Sequence, residues 1–242
     1  MQIDRRKVSF YSTIRNLPWL WGIASKVRYM PGLYWLWRRW FRGSATHWQR
    51  HYDHGGDSGP GSYGESASYK AELINRVVGE YGIRSIIELG CGDGNQLTYL
   101  DIDQYIGLDV SKVAIQRCIA RHGGNAKRSF VWYDQSFFHD PLRVVSADCA
   151  MSLDVIFHLI EDNVFARYVQ NLFQCGRRFV IVYALDEEQM QPGHVSVRFR
   201  KYSDYIAANM PEFRVALHVG KNGNFGDFYL YERIPTGNVR RA

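Results

Sequence analysis

The sequence is poor in cysteine, with four in 242 residues (Cys91, Cys118, Cys149, Cys175), none in a CxxC pair and none beside histidines at zinc-binding spacing. This argues against a disulfide framework and a zinc-finger-type site, and separate reduced thiols point to the cytoplasm. Long apolar runs are missing too: none approaches the roughly 20 residues needed to cross a bilayer. Residues 17–24 follow several basic residues and weakly imitate a signal peptide, but the stretch is short, contains Pro18 and leads into more bases. There is no internal repeat. Acid is nearly absent from residues 1–50, where Asp4 stands alone against ten Lys and Arg, whereas residues 51–242 hold twenty bases and twenty-three acids. The net charge of +6 and the pI of about 9.1 therefore belong to the N-terminus. Six of the seven Trp lie there as well.

Three zones follow. Residues 1–50 are basic and aromatic, with short helical possibilities broken at Pro18 and Pro31. Residues 51–64 (HYDHGGDSGPGSYG) read as a Gly-rich loop. Residues 65–242 alternate between helical and strand periods. Ile74, Val77, Val78 and Tyr81 recur at helical spacing, and a second helix starts at Ser111. A third amphipathic helix runs from Ile160 to Phe173. Strands are expected at residues 85–89, 105–108, 130–133, 147–153 and 179–184, so strand and helix alternate as in an α/β parallel sheet covered on both faces. The end differs: Phe213, Val215, Leu217 and Val219 alternate with polar residues, a turn follows around Asn222-Gly223, and residues 228–234 return. That pattern predicts a closing antiparallel hairpin.

The chemistry concentrates in residues 86–97, IIELGCGDGNQL. A strand runs into Glu88, and Gly90, Gly92 and Gly94 follow at alternate positions, where backbone must turn tightly and admit a ligand. Asp109 ends the next strand, placed to accept from both hydroxyls of a ribose. Asp134 ends the strand after that, where a carboxylate can accept from an adenine amino group. The glycine spacing is GxGxG rather than the dinucleotide GxGxxG, because Asn95 occupies the last position of that fingerprint. An acid-flanked loop suits a cationic, phosphate-free adenosyl ligand better than a pyrophosphate.

On ELGCGDG, Asp109, Asp134 and SLDVIFHL (152–159), the chain resembles class I S-adenosylmethionine-dependent methyltransferases over roughly residues 60–235. The resemblance implies a Rossmann-like seven-stranded sheet whose last strand is inserted antiparallel. It implies S-adenosyl-L-methionine as cofactor, with Gly90, Gly92 and Gly94 under its methionine part, Asp109 at the ribose and Asp134 at the adenine. The stretches 61–75, 152–162 and 198–206 look like methyltransferases that tailor bacterial surface polysaccharides, which implies a sugar or glycan acceptor, free or lipid-linked. No [ND]PP[YF] follows the fourth strand, which argues against methylation of base amino groups, and no metal-ligand constellation suggests a cation-dependent enzyme.

Methyl transfer to a hydroxyl calls for alignment and for a base. His158 is the candidate base and Asp154 its companion, four residues apart and on one face if the segment is helical; a structural histidine is the alternative. Arg198 and Arg200, with Lys201 and His194, are candidate contacts to an acidic sugar or a phosphate of the acceptor, or a solvated helix face. Tyr63 and Ser62 are candidates to close over the methionine end, or ordinary turn residues. The Trp-rich arm has three readings: a peripheral anchor on an anionic inner membrane face, a single-stranded nucleic acid binder, or a helical cap on the domain or a second subunit. An RNA acceptor and a non-catalytic binding module stay open beside the glycan reading.

Overall fold

The computed structural model describes residues 43–188, 196–222 and 226–235. The expectations for residues 1–42, for His194 and for Gly223 in the hairpin turn lie outside them.

Seven strands form one sheet in the order β3-β2-β1-β4-β5-β7-β6. They are β1 (Ser85–Leu89), β2 (Gln104–Asp109), β3 (Arg128–Trp132), β4 (Ala147–Leu153), β5 (Gly176–Ala184), β6 (Phe213–Val219) and β7 (Asp227–Arg233). The first five run parallel, and β7 lies antiparallel between β5 and β6, as the hairpin pattern and the resemblance predict. Central strands buried on both faces need near-continuous apolar sequence. Alternation then sends Ile87, Leu89, Val180 and Val182 into one core with helix α4 (Asp162–Cys175) and helix α5 (Tyr202–Asn209). Ile86, Cys149, Met151 and Ile181 face the other core, shared with helix α2 (Gly64–Tyr81) and helix α3 (Lys112–His122). Gly82 (φ 62°) ends α2 in the left-handed conformation, and the Ser111 side chain caps α3 by accepting from the Ala114 N–H (3.3 Å).

Besides shifts of one or two residues at other element ends, three departures from the sequence pattern bear on the site. Residues 51–53, expected as loop, are the last turn of a helix α1 (Ser44–Asp53) that crosses the expected zone boundary, and Pro60–Ser62 form a short 3₁₀ turn. Strand β3 ends at Trp132, so Asp134 lies in the following turn. Strand β5 starts at Gly176, where exposed Arg177 and Arg178 hide it from an apolar count. Among the described residues no helix is long and apolar enough to cross a membrane.

After β1 the chain moves outward through β2 and β3; it then returns to β4 on the other side of β1. Ligands in open α/β sheets bind outside the carboxyl ends of the strands at such a reversal. A cleft opens there.

Candidate active site

The β1 end is shaped by glycine. Gly90 (φ 85°) and Gly92 (φ 58°) both adopt left-handed backbone. A Cβ on Gly90 would stand 2.5 Å from Val155 Cγ2, and one on Gly92 would stand 2.2 Å from Ser58 Oγ. Both line the cleft, a cavity of about 380 Å³. That falls in the ordinary range for small-ligand sites, about 300–1,000 Å³. Gly94 does not line it. Its missing Cβ faces Cys118 and His122, and its carbonyl meets the His122 ring, so this glycine seats α3 rather than a ligand.

Asp109 is buried at the end of β2, where Oδ2 accepts from the Gly92 N–H (3.0 Å) and Oδ1 from the Ser111 N–H (2.8 Å). Burial pushes its carboxyl up to about 6 against those backbone donors. These backbone donors fix the carboxylate at the strand end, where it lines the cleft. Glu88 is buried beside it, with the Tyr105 hydroxyl donating to Oε2. Burial pushes Glu88 up to about 7, opposed by the Tyr105 bond and the Lys70 charge.

Asp154 and His158 both line the cleft, but not as neighbours on a helix. Asp154 stands in left-handed backbone (φ 57°), and Ile156–His158 is one 3₁₀ turn. The Asp154 N–H donates to the Tyr183 carbonyl (2.8 Å), and its Oδ2 accepts from Lys70 Nζ (2.6 Å). His158 Nδ1 lies 3.1 Å from the Ser196 carbonyl. A carbonyl only accepts, so the proton of the neutral ring sits on Nδ1 and Nε2 carries the lone pair. Burial lowers the ring to about 4, which keeps it neutral near pH 7.

The remaining predicted residues divide. Ser62 lines the cleft. Tyr63 does not: Asp93, inside the glycine loop, takes its hydroxyl (2.6 Å), so it braces the loop instead of closing over a ligand. Asp134 is exposed and lines a shallow groove that shares Ala45, Val110 and Tyr133 with the cleft; Tyr133 and Gln135, on either side of it, line the cleft itself. Arg198 and Arg200 are not in the cleft wall. Arg200 donates to the Leu159 (2.6 Å) and Ile160 (2.8 Å) carbonyls and to Asp162 (3.1 Å), and Arg198 pairs with the same Asp162 (2.8 Å). Their donors tie down the loop before α4. Lys201 is bound to Asp186 (2.7 Å).

Helix α1 supplies what the motifs missed. Trp48, His51 and Tyr52 line the cleft, and the Trp48 ring meets His158 edge-on at 4.7 Å and His51 at 5.1 Å. Phe157 continues the aromatic wall, 4.4 Å from His158. Trp48 and Tyr52 stand at i, i+4, a helical signal obscured by the glycines that follow. The helix is held by Glu161, whose two oxygens accept from the Ser44 N–H (3.0 Å) and hydroxyl (2.6 Å). Tyr52 and Ser58 are hydrogen-bonded (2.8 Å), and Ser58 Oγ accepts from the Asp93 N–H (2.9 Å), closing the strap of residues 54–63 between α1 and α2 onto the glycine loop.

Residues 87–181 match the model of a methyltransferase domain. A search of curated protein sequences gives no match. Among solved structures, the N-methyltransferase NodS from Bradyrhizobium japonicum WM9, in complex with S-adenosyl-L-homocysteine, is 16% identical. It superposes with a TM-score of 0.62 over 80% of this chain and 99% of its own. Magnesium protoporphyrin IX methyltransferase from Synechocystis PCC 6803, with bound SAM, is 11% identical with a TM-score of 0.58, over 78% and 97% of the two chains. The methyltransferase domain of bacterial CtHen1 is 19% identical with a TM-score of 0.56, over 69% and 98%. Residues 87–181 thus resemble a methyltransferase domain, and the chain shares the Rossmann-like fold of these solved methyltransferases.

Proposed function

We propose that the cleft binds S-adenosylmethionine and that the protein methylates a hydroxyl of a neutral, sugar-like acceptor, with His158 taking the proton. The observation that carries this reading is the tautomer of His158: Nδ1 is committed to a backbone carbonyl, and the lone pair on Nε2 belongs to a ring in the same cleft wall as Gly90 and Asp109. The fit of the cofactor rests on the Cβ-intolerant glycines, the fixed Asp109 carboxylate and a wall whose charged side chains, among the described residues, are the acids Glu88, Asp109 and Asp154. When bound, the cofactor supplies an electrophilic methyl on a sulfonium. Protonation of His158 would place a positive charge in a wall that also holds the Glu88, Asp109 and Asp154 side chains. That offsets the cost of charging a buried ring.

The acceptor chemistry follows from the same wall. Trp48, Phe157, His51 and His158 offer aromatic surface and lone pairs, and no Lys or Arg lines the cleft among the described residues. Such a surface suits a ring with an apolar face and donating hydroxyls, and it gives a phosphate or carboxylate nothing to bind. This favours a neutral glycan over RNA. For residues 1–42 the reading is an arm on an anionic membrane surface, supported by nine bases against one acid and by five Trp.

Calorimetric titration with S-adenosylmethionine and with NAD tests the cofactor; binding of NAD alone overturns it. His158→Gln is expected to lower kcat by about 10²- to 10⁴-fold while cofactor affinity stays within threefold. Wild-type turnover in that variant would sink the base role. Neutral oligosaccharides and oligoribonucleotides, offered side by side with labelled cofactor, separate the two acceptor classes.

A further inference from the structure

Lys70, in the middle of α2, has a side chain only 1% exposed, yet none of the chemistry above uses it. A lysine is almost never buried so fully without a partner. Here Nζ lies 2.6 Å from Asp154 Oδ2 and 5.3 Å from the centre of the Tyr183 ring, and its charge also reaches Glu88. Asp154 itself is only part-exposed, opens into the cleft and stands in a backbone conformation that few residues other than glycine adopt. Gly61 of the strap passes so close that a Cβ there would lie 2.6 Å from Asp154 Oδ2. On its other side, Val155 fills the space left by the missing Cβ of Gly90. Asp154 therefore stands between the strap and the glycine loop, at the end of the cleft where the glycines admit a ligand's backbone-hugging part.

We propose that Lys70 is a positioning residue that holds Asp154 in this place, and that Asp154 receives the α-ammonium group of the cofactor's amino-acid tail. Two features make the pair suited to that task. A buried cation beneath a carboxylate fixes its rotamer before the ligand arrives, so less ordering is lost on binding. A carboxylate keeps lone pairs on both oxygens after one takes Lys70, so a second cation can be accepted. Lys70 touches neither ligand nor acceptor and acts through Asp154 alone.

This inference rests on the cofactor reading, and the test separates the two. Full-length wild type, Lys70→Met, Asp154→Asn and the double variant are titrated calorimetrically with S-adenosylhomocysteine and with 5′-methylthioadenosine, which keeps the nucleoside and thioether but has no amino-acid tail. Hydrogen bonds to charged groups are worth about 1.5–3 kcal/mol, so each single variant is expected to weaken S-adenosylhomocysteine by about 10- to 100-fold. Affinity for 5′-methylthioadenosine is expected to stay within threefold of wild type, and the double variant to be no worse than either single one. Equal losses on both ligands, or unchanged binding of S-adenosylhomocysteine, overturns the proposal while leaving the cofactor reading standing. Wild type that binds neither ligand overturns both. Should Lys70→Met fail to fold, Asp154→Asn, which keeps a polar partner for the lysine, decides the matter by the same ratio of affinities.

Discussion

At Glu88 burial does more than the neighbouring donors can undo. Its carboxyl rises from 4.5 to about 7 in the folded chain, so between these pH values the folded state holds a proton that the unfolded state has released. Unfolding free energy therefore falls as pH rises through this window, by about 3 kcal/mol for a shift of this size. Asp109, raised to about 6, slopes the same way over a lower range. His158, lowered from 6.5 to about 4, slopes the opposite way, because below 6.5 the unfolded ring gains a proton that the folded one refuses. Wild type alone thus mixes opposed contributions, and Glu88→Gln isolates one. Urea unfolding of the cofactor-free proteins should show wild type losing about 3 kcal/mol relative to the variant between pH 4.5 and 7.5. A difference independent of pH would mean that folding does not raise the Glu88 carboxyl above its unfolded value. Glu88 and Asp109 were legible because their place needs only a strand and its end. Tyr63, Arg198 and Arg200 were not, because a side chain's task depends on which partner lies nearest. Asp93 and the carbonyls of Leu159 and Ile160 reach them before any ligand can.

Among the elements, α1 has the least support of its own. Ten residues make a marginal helix in water, and its N-cap, Gly43, contributes no side-chain bond. Glu161 stands in for the missing cap from 117 residues away and also places a negative charge at the positive end of the helix. Glu161→Ala should release α1, costing about 1 kcal/mol or more in local stability. Hydrogen exchange over residues 44–53 is then expected to quicken several-fold while β1, β4 and β5 stay protected, and cofactor affinity should drop because Trp48 and Tyr52 leave the cleft wall. Unchanged exchange in α1 would show that the helix is held by something other than this carboxylate. The same long-range dependence explains why α1 escaped the sequence pattern: its support comes from a loop more than a hundred residues away, and the glycines after it read as loop. Strands β1 and β4 were legible because residues buried on both faces leave short, mainly apolar runs. Strand β3 was displaced by two residues because it is an edge strand with one lateral partner, and its exposed Val131 and Trp132 dilute the alternation.

For the whole molecule the uneven charge takes a sharper boundary than the sequence alone suggested. With α1 assigned to the cleft, the basic excess narrows to residues 1–42, which hold nine bases, five Trp and Asp4 as sole acid, and the remaining 200 residues are slightly acidic. Each basic side chain near an anionic bilayer contributes about 1 kcal/mol, a contribution that salt screens within a Debye length of about 8 Å at physiological strength. Indole burial at the interface is insensitive to salt, so the two kinds of residue can be told apart on the full chain. Changing Arg38, Arg39 and Arg42 to Gln should weaken binding to vesicles containing phosphatidylglycerol and flatten its salt dependence, with little effect on binding to phosphatidylcholine. Changing Trp35, Trp37 and Trp40 to Ala should weaken binding to both and leave the salt dependence intact. Co-sedimentation over a range of salt concentrations reads both effects. Wild type that fails to sediment with either vesicle, or that binds both equally at all salt concentrations, would remove the anionic membrane from the account of residues 1–42.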